Sequence, residues 1–196
     1  MAHRTATLAI GDGVKKRLIV LGLLAGLMVV GGLLSFAGGT DQAPGNSATS
    51  ETGADKTALA VTEKYEDYRS DFPEVPEVSP DSLAAWLADP ATILVDVRKS
   101  SEREVSLIPG SITVDDFDAA DFRQHRIIAY CTIGYRSGKY AEELRDDGLD
   151  AYNLAAGILG WVHAGHEVVH NGEPTQRVHV YGRQWNLLPE GFEPVW

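Results

Sequence analysis

Short runs of aliphatic and β-branched residues alternate with helical segments in the second half of the chain, and this alternation restricts the possible folds more than any other feature. Three such runs, at 91–97, 126–130 and 151–154, have the length and composition of buried strands. Helices are predicted between and after them, over 138–146 and 158–164. Strands separated by helices indicate βα units. The sequence therefore predicts an α/β fold with a central, mainly parallel sheet flanked by helices.

Further elements are predicted around these units. Ser79 and Pro80 are typical of an N-cap and a first helical position, so a helix is expected to begin there. A short helix is also predicted over 57–68. Two extended segments, 112–114 and 177–181, complete the expected elements, although the pattern does not place the second of them in the sheet.

An uncharged apolar stretch lies near the start of the chain, at 18–37. Twenty helical residues span about 30 Å, the thickness of a bilayer's hydrocarbon core, so this stretch predicts a transmembrane helix. Three basic residues at 15–17 precede it, which places the N-terminal residues 1–17 in the cytoplasm and the rest outside. A cleaved signal peptide, with Ser35 and Ala37 before the cut, is the alternative, and it delivers the later residues to the same side.

The remaining chain divides by composition. Residues 38–56 are rich in Gly, Ser, Thr and Ala and predict a flexible stalk. A pre-domain segment at 57–77, a globular domain at 78–172 and a C-terminal extension at 173–196 follow.

The net charge of −11, from 17 basic and 28 acidic residues, argues against a nucleic-acid partner, because phosphate binding needs a basic face. A single cysteine excludes a disulfide within the chain.

The residues suited to chemistry directly follow the strand at 126–130. A loop between a strand's carboxyl end and a helix is where open α/β sheets bind ligands, and its N–H groups can hold an anion. That setting favours the thiolate form of a cysteine, which is the nucleophile. A small buried cysteine that merely ends a core strand is the alternative. The expected site residues are Cys131, Thr132, Ile133, Gly134, Tyr135 and Arg136, with Gly134 allowing a tight turn and Arg136 supplying a cation.

These motifs together resemble the rhodanese-like sulfurtransferase family over roughly 78–169. The resemblance is carried by Val78-Ser79-Pro80, Leu94-Val95-Asp96-Val97-Arg98, Glu102 with Ser106-Leu107-Ile108-Pro109-Gly110-Ser111, the C-x-x-G-x-R loop Cys131 to Arg136, and Leu154-Ala155-Ala156-Gly157 with Trp161. It implies the family's three-layer fold and a persulfide on Cys131, formed from a donor such as thiosulfate and passed to a thiophilic acceptor. The N–H groups of 132–136 would stabilise the persulfide and Arg136 would hold the donor. Arg98 is expected either at the mouth of the site, binding substrate, or in an ion pair with Asp96.

Two departures from the family pattern stand out. Leu107 replaces a customary His outside the loop, where little catalytic effect is expected, and Ala156 occupies a usual Gly position, where it is expected to alter the pocket wall. The spacing of the loop also separates this chain from cysteine phosphatases, which use C-x5-R. Here Arg136 follows Cys131 as C-x4-R, and this tighter loop suits a sulfur atom better than phosphate.

The expected activity is therefore sulfur transfer between a small anionic donor and a thiol acceptor, on a protein attached to the membrane by its N-terminal helix and facing out of the cytoplasm. No metal or organic cofactor is implied. A non-catalytic module that binds a protein partner, or relays persulfide sulfur at the membrane, is the second hypothesis.

Overall fold

The computed structural model describes residues 53–196, which lie in one compact unit. The segments predicted as cytoplasmic N-terminus and transmembrane helix, and most of the predicted stalk, lie outside the described residues. From residue 53 onward, no helix is both long and apolar enough to cross a bilayer. The transmembrane helix at 18–37 therefore stays a prediction.

Helices and strands alternate along the described residues. In chain order they are α1 (Gly53–Arg69), β1 (Glu77–Val78), α2 (Pro80–Trp86), β2 (Thr92–Asp96), α3 (Ser100–Arg103), β3 (Ile112–Thr113), β4 (Arg126–Tyr130), α4 (Tyr135–Asp146), β5 (Asp150–Leu154), α5 (Gly157–His163), β6 (Val168–His170), β7 (Glu173–Thr175), β8 (Arg177–His179) and β9 (Glu193–Val195), with 3₁₀ turns at Val114–Asp116 and Arg183–Trp185.

Five strands form the central sheet in the order β1-β5-β4-β2-β3, and all neighbouring pairs are parallel. The predicted parallel sheet is thus confirmed. β4 is the middle strand, and its last residue, Tyr130, pairs with Asp96 at the end of β2. Because parallel strands end at the same edge of a sheet, the residues that follow β2 and β4 emerge side by side.

Alternate side chains of β4 pack into two separate hydrophobic clusters, one on each face of the sheet. Ile127 and Ala129 join a cluster with α4, whereas Ile128 and Tyr130 join a cluster with α1, α2 and α5. This period of two is the one that strand geometry dictates. The sheet is therefore a middle layer between two layers of helices, as the resemblance implies.

The structure changes several predicted boundaries. α4 begins at Tyr135 rather than 138, because Gly134 adopts the left-handed conformation, with φ of +95°, and serves as its N-cap. α1 extends back to Gly53, so the last four residues of the predicted stalk are helical. The predicted strand at 177–181 is β8, and it pairs with β9 in a separate two-stranded sheet. The predictions omitted α3, β6, β7 and β9.

The pre-domain segment and the C-terminal extension share one core with the predicted domain. Val61 of α1 and Val178 of β8 are both at most 2% exposed, in the same cluster as Ile128 of the central sheet. Both segments are therefore packed against the domain, and both are close enough to it to contribute walls to a site.

Candidate active site

Cys131 lies immediately after the central strand β4, with only 1% of its surface exposed. The chain turns within three residues, because the positive φ of Gly134 reverses it into the start of α4. This turn brings the N–H of Gly134 within 3.2 Å of the Cys131 Sγ, to which it donates a hydrogen bond. The N–H groups of residues 132–136 were all expected to stabilise the sulfur. The hydrogen bond that the structure shows comes from one of them, the N–H of Gly134.

The first turn of α5 holds the other side of the loop. The N–H of Ile158 donates to the carbonyl of Cys131 at 2.9 Å, and the N–H of Leu159 donates to the carbonyl of Thr132 at 3.2 Å. This contact needs a glycine at 157, because a Cβ there would lie 2.4 Å from the Cys131 carbonyl oxygen. The loop is therefore fixed by helices on both sides of the sulfur.

Asn153 of β5 is a positioning residue that the sequence analysis missed. Its side chain is fully buried and donates to the Gly134 carbonyl at 2.9 Å, while its Oδ1 accepts from the Ser137 hydroxyl at 2.7 Å. The same amide nitrogen lies 3.3 Å from the hydroxyl of Tyr65 on α1. These bonds hold Gly134 in the conformation that aims its N–H at the sulfur.

Arg136 is held by Glu102 of α3, a second residue to which the sequence analysis gave no role. The two side chains form a bidentate pair, with 2.7 Å for both the Nη1–Oε2 and the Nη2–Oε1 distances. The Thr132 hydroxyl donates to the same carboxylate at 3.1 Å. The Glu102 side chain is 1% exposed, so it holds the Arg136 guanidinium from the protein interior. The Arg136 side chain is 31% exposed, so its charge remains accessible at the surface of the site.

Glu102 and Arg136 each stabilise the ionised form of the other. Burial opposes ionisation of Glu102, but hydrogen bonds from Arg136 and from the Lys99 N–H outweigh it and lower the pKa of that carboxyl from 4.5 to about 2. Burial likewise opposes the charge on Arg136, yet the hydrogen bond with Glu102 and the charge of Cys131 raise the pKa of that guanidinium. Both groups are thus ionised across the physiological range.

The depressed pKa of Glu102 predicts a pH dependence of stability. The folded carboxyl binds its proton less readily than the unfolded one, so its contribution, about 3 kcal/mol at most, is complete above pH 4.5 and is lost as pH falls toward 2. Chemical denaturation at pH 5 and pH 2.5 measures it. We expect Glu102→Gln to be less stable than wild type at pH 5, with much of that difference gone at pH 2.5.

Glu104→Gln is the matched control, because Glu104 is exposed and lies two residues away. It should leave the free energy of unfolding within about 0.5 kcal/mol of wild type at both pH values. An unchanged gap between wild type and Glu102→Gln across the pH range would contradict the ion pair.

Arg98 does not lie in the site, which corrects the expectation that it binds substrate. Its guanidinium is buried and pairs with Asp96, at 2.6 Å from Nη2 to Oδ2, and also donates to the Ser106 carbonyl. Tyr130 donates its hydroxyl to the same carboxylate. The ion pair beneath the sheet edge, the other expectation for Arg98, is the one the structure supports.

A cavity of about 360 Å³ opens above Cys131. Four of the predicted site residues line it together with the cysteine: Thr132, Ile133, Tyr135 and Arg136. Gly134 acts through its N–H rather than as part of the wall. The other lining residues come from α1 and from the C-terminal extension, which the sequence analysis did not connect with the site: Tyr68, Tyr181 and Trp185.

This arrangement combines a buried sulfur, a hydrogen-bond donor to it and a fixed cation at the cavity wall. An anionic ligand can bind to Arg136 while one of its atoms approaches the Cys131 Sγ, so the geometry suits nucleophilic attack on an anion. Among residues 53–196, no group of three or more His, Cys, Asp or Glu side chains is placed to hold a metal ion.

Ala156 does not line the cavity, contrary to the expectation that it alters the wall. It precedes α5 in the left-handed conformation, with φ of +57°, where a side chain costs about 1 kcal/mol. We therefore expect Ala156→Gly to stabilise the protein by about 0.5–1 kcal/mol, measured by thermal unfolding. Ala58→Gly within α1 is the control and should destabilise it by about 1 kcal/mol. Destabilisation by both changes would contradict this reading of Ala156.

Comparison with known proteins finds a family match in the central part of the chain. The sequence profile of the rhodanese-like domain matches residues 79–164. The tRNA uridine(34) hydroxylase of Burkholderia ambifaria is 26% identical over 117 residues, covering 50% of this chain and 41% of that protein. The tRNA sulfurtransferase of Desulfurococcus amylolyticus is 35% identical over 68 residues, covering 34% and 14%. The chain thus spans less than half of each relative.

Among solved structures, the thiosulfate sulfurtransferase of Pseudomonas aeruginosa aligns with a TM-score of 0.47 at 23% identity, over 61% of this chain and 25% of that one. The profile match includes β2, β4, the Cys131 loop and the first turn of α5 that holds it. Residues 79–164 of this chain match the rhodanese-like domain.

Proposed function

We propose that this protein is a sulfurtransferase that moves a sulfane sulfur from an anionic donor such as thiosulfate to a thiophilic acceptor, through a persulfide on Cys131. One observation carries the proposal: the Cys131 sulfur accepts the Gly134 N–H at the base of a cavity whose wall holds the guanidinium of Arg136. The rhodanese-like domain and the name of the relative from Desulfurococcus amylolyticus agree with it.

The proposed reaction has two steps. In the first, the Cys131 thiolate attacks the terminal sulfur of thiosulfate, the S–S bond of the donor breaks, and sulfite leaves with the bonding electrons. In the second, an acceptor such as cyanide or a thiolate attacks the outer persulfide sulfur and the Cys131 thiolate leaves. Arg136 binds the anionic donor, and the Gly134 N–H stabilises negative charge on the sulfur. The transferred sulfur needs no external oxidant or reductant.

Loading of the purified full-length chain with thiosulfate tests the proposal. Because the chain has a single cysteine, mass spectrometry should find one added sulfur atom, located on the peptide that contains Cys131. Cyanide should then remove it and release thiocyanate. A chain that gains no sulfur from thiosulfate or from an organic persulfide would refute the enzyme and favour the non-catalytic module.

The substrate remains a small anion in this proposal. Two relatives carry names that refer to tRNA, but they share less than half of their length with this chain. The net charge of −11 does not favour binding to a polyanion. We therefore propose a small sulfur donor and a thiol acceptor. The proposal does not extend to this chain the tRNA substrates that the names of those relatives mention.

We further propose that residues 18–37 are a retained transmembrane helix that places the domain outside the cytoplasm. The charge-free run and the basic residues before it support this arrangement. Membrane fractionation with mass determination of the isolated chain tests it. A mature chain that lacks the first residues, recovered without detergent, would instead support the signal peptide.

A further inference from the structure

The cavity above Cys131 has an aromatic wall that comes mostly from outside the rhodanese-like domain. Tyr68 lies on α1, and Tyr181 and Trp185 lie in the C-terminal extension, whereas the domain itself contributes Tyr135 at the start of α4. Four rings therefore line the cavity above a sulfur whose hydrogen-bond donor, the Gly134 N–H, belongs to the domain. The additional segments supply apolar surface to the site.

Three of these rings, those of Tyr68, Tyr135 and Trp185, are held in place by contacts among themselves. The ring centroid of Tyr68 lies 5.2 Å from that of Tyr135 and 6.0 Å from that of Trp185, distances typical of favourable aromatic pairs. The ammonium of Lys64, also on α1, lies 5.1 Å from the Trp185 ring centroid. A wall fixed in this way requires little reordering when a ligand binds.

Tyr181 stands at the open side of this wall in a conformation that costs energy. Its φ is +67°, which is unfavourable for a side chain of this size, and its N–H donates to the His179 Nδ1 at 3.0 Å. The residue remains 56% exposed, with the Arg136 guanidinium 5.5 Å from its ring centroid. Such strain is concentrated at ligand sites, and an exposed ring beside the site's cation is a surface that a ligand can cover.

The size and charge of the cavity define what fits it. Its volume of about 360 Å³ lies within the range of about 300–1,000 Å³ that is typical of pockets for organic ligands. Inorganic thiosulfate, which is close to sulfate in size, would leave the aromatic wall uncovered. Among the described residues that line the cavity, Arg136 is the only charged one. The complementary ligand is an anion with a flat apolar body.

We propose that Tyr181 and Trp185 are specificity-determining residues that select a sulfur donor whose anionic sulfur group is attached to a flat apolar organic group. This inference rests on the proposed sulfur transfer and names its donor class. Arg136 binds the anionic end, the donor's outer sulfur reaches the Cys131 Sγ, and the organic group packs against the rings.

An aryl thiosulfonate, R–SO₂–S⁻, is a probe with these properties. The Cys131 thiolate attacks its outer sulfur, the bond between that sulfur and the sulfonyl sulfur breaks, and the sulfinate R–SO₂⁻ leaves with the electron pair. Two negative charges enter the step and two leave it. Benzenethiosulfonate and methanethiosulfonate share this chemistry and differ in whether the organic group is a flat ring.

The test compares kcat/KM for these two donors and for thiosulfate, with cyanide as the acceptor and the full-length chain as the enzyme. Rates are corrected for the uncatalysed reaction of each donor. We expect benzenethiosulfonate to exceed methanethiosulfonate by about tenfold, the effect of one favourable ring contact. Trp185→Ala should reduce this ratio to within about twofold of unity. Trp196→Ala is the control, since that ring is exposed, belongs to the same extension and does not line the cavity.

The outcomes separate this inference from the proposed function. Equal rates for the two thiosulfonates, or faster turnover of the methyl compound, would overturn the selection of a flat group while leaving sulfur transfer intact. Failure of all three donors to load Cys131 would overturn the proposed function and this inference together. The donor ratio of the wild-type protein tests the selection of a flat group even if Trp185→Ala does not fold, and a folded Trp185→Ala that keeps the wild-type ratio would overturn the assignment to Trp185.

Discussion

Replacing Cys131 with serine should abolish the formation of thiocyanate from thiosulfate and cyanide. A serine oxygen cannot accept the sulfane sulfur to form a persulfide, so both steps of the proposed reaction lose their covalent intermediate. We expect a loss on the order of 10⁴-fold or more in kcat/KM, comparable with the removal of other catalytic nucleophiles. Colorimetric detection of thiocyanate, with a matched reaction that contains no enzyme, measures it.

The folded state should survive this change. Serine is nearly the same size as cysteine, and its hydroxyl can accept the Gly134 N–H that now donates to the Cys131 sulfur. The free energy of unfolding should therefore change by no more than about 2 kcal/mol. Turnover by folded Cys131→Ser at the wild-type rate would remove Cys131 from the mechanism. If the wild-type protein forms no more thiocyanate than Cys131→Ser does, the result would instead indicate a non-catalytic binding module.

The cysteine loop could be predicted from the sequence because its parts are local. A buried strand, a cysteine, a glycine three residues later and a helix lie within one short segment, so strand and helix patterns alone place Cys131 at the carboxyl edge of the sheet. The start of the helix was less predictable. Gly134 is both the tight turn and the N-cap, and this puts Arg136 on α4 instead of in the loop.

The partners of the loop were harder to predict because they are distant in sequence. Glu102 lies thirty-four residues before Arg136, in a chain with 28 acidic residues, so charge alone does not identify it as the partner. Arg98 illustrates the opposite case. Residues two apart at the end of a strand face the same side, so the pairing of Arg98 with Asp96 follows from strand geometry, and that pairing takes the guanidinium away from the cavity.

The aromatic wall of the cavity could not be predicted from the sequence, because its position depends on how separate segments pack on the domain. Tyr68 and Trp185 are separated by more than a hundred residues, and neither lies in a segment with a motif. Aromatic residues in a terminal extension pack against any apolar surface, and composition does not say which one. Their position beside Cys131 is decided by how α1 and the extension pack on the domain.

Gly134→Ala should reduce both the stability of the protein and its turnover. An alanine Cβ at this position would lie 2.6 Å from Cε2 of the Tyr65 ring, and φ of +95° is unfavourable for a side chain. Relief requires movement of the buried Tyr65 or of the loop backbone, and either shift misaligns the N–H that reaches Cys131. We expect destabilisation by about 2–4 kcal/mol and a loss of turnover of about 100-fold or more.

Gly148→Ala separates the two contributions to this effect. Gly148 has a similar φ of +81°, but a Cβ there meets no atom within 4 Å, so this variant carries the backbone strain without the steric contact. It should be less stable by about 1 kcal/mol and retain its turnover. The excess destabilisation of Gly134→Ala then measures the contact with Tyr65, and its excess loss of turnover measures the alignment of the loop. Equal effects of the two variants on both readouts would mean that the loop tolerates a shifted Gly134, and that the hydrogen bond to the sulfur is not what fixes the reactivity of Cys131.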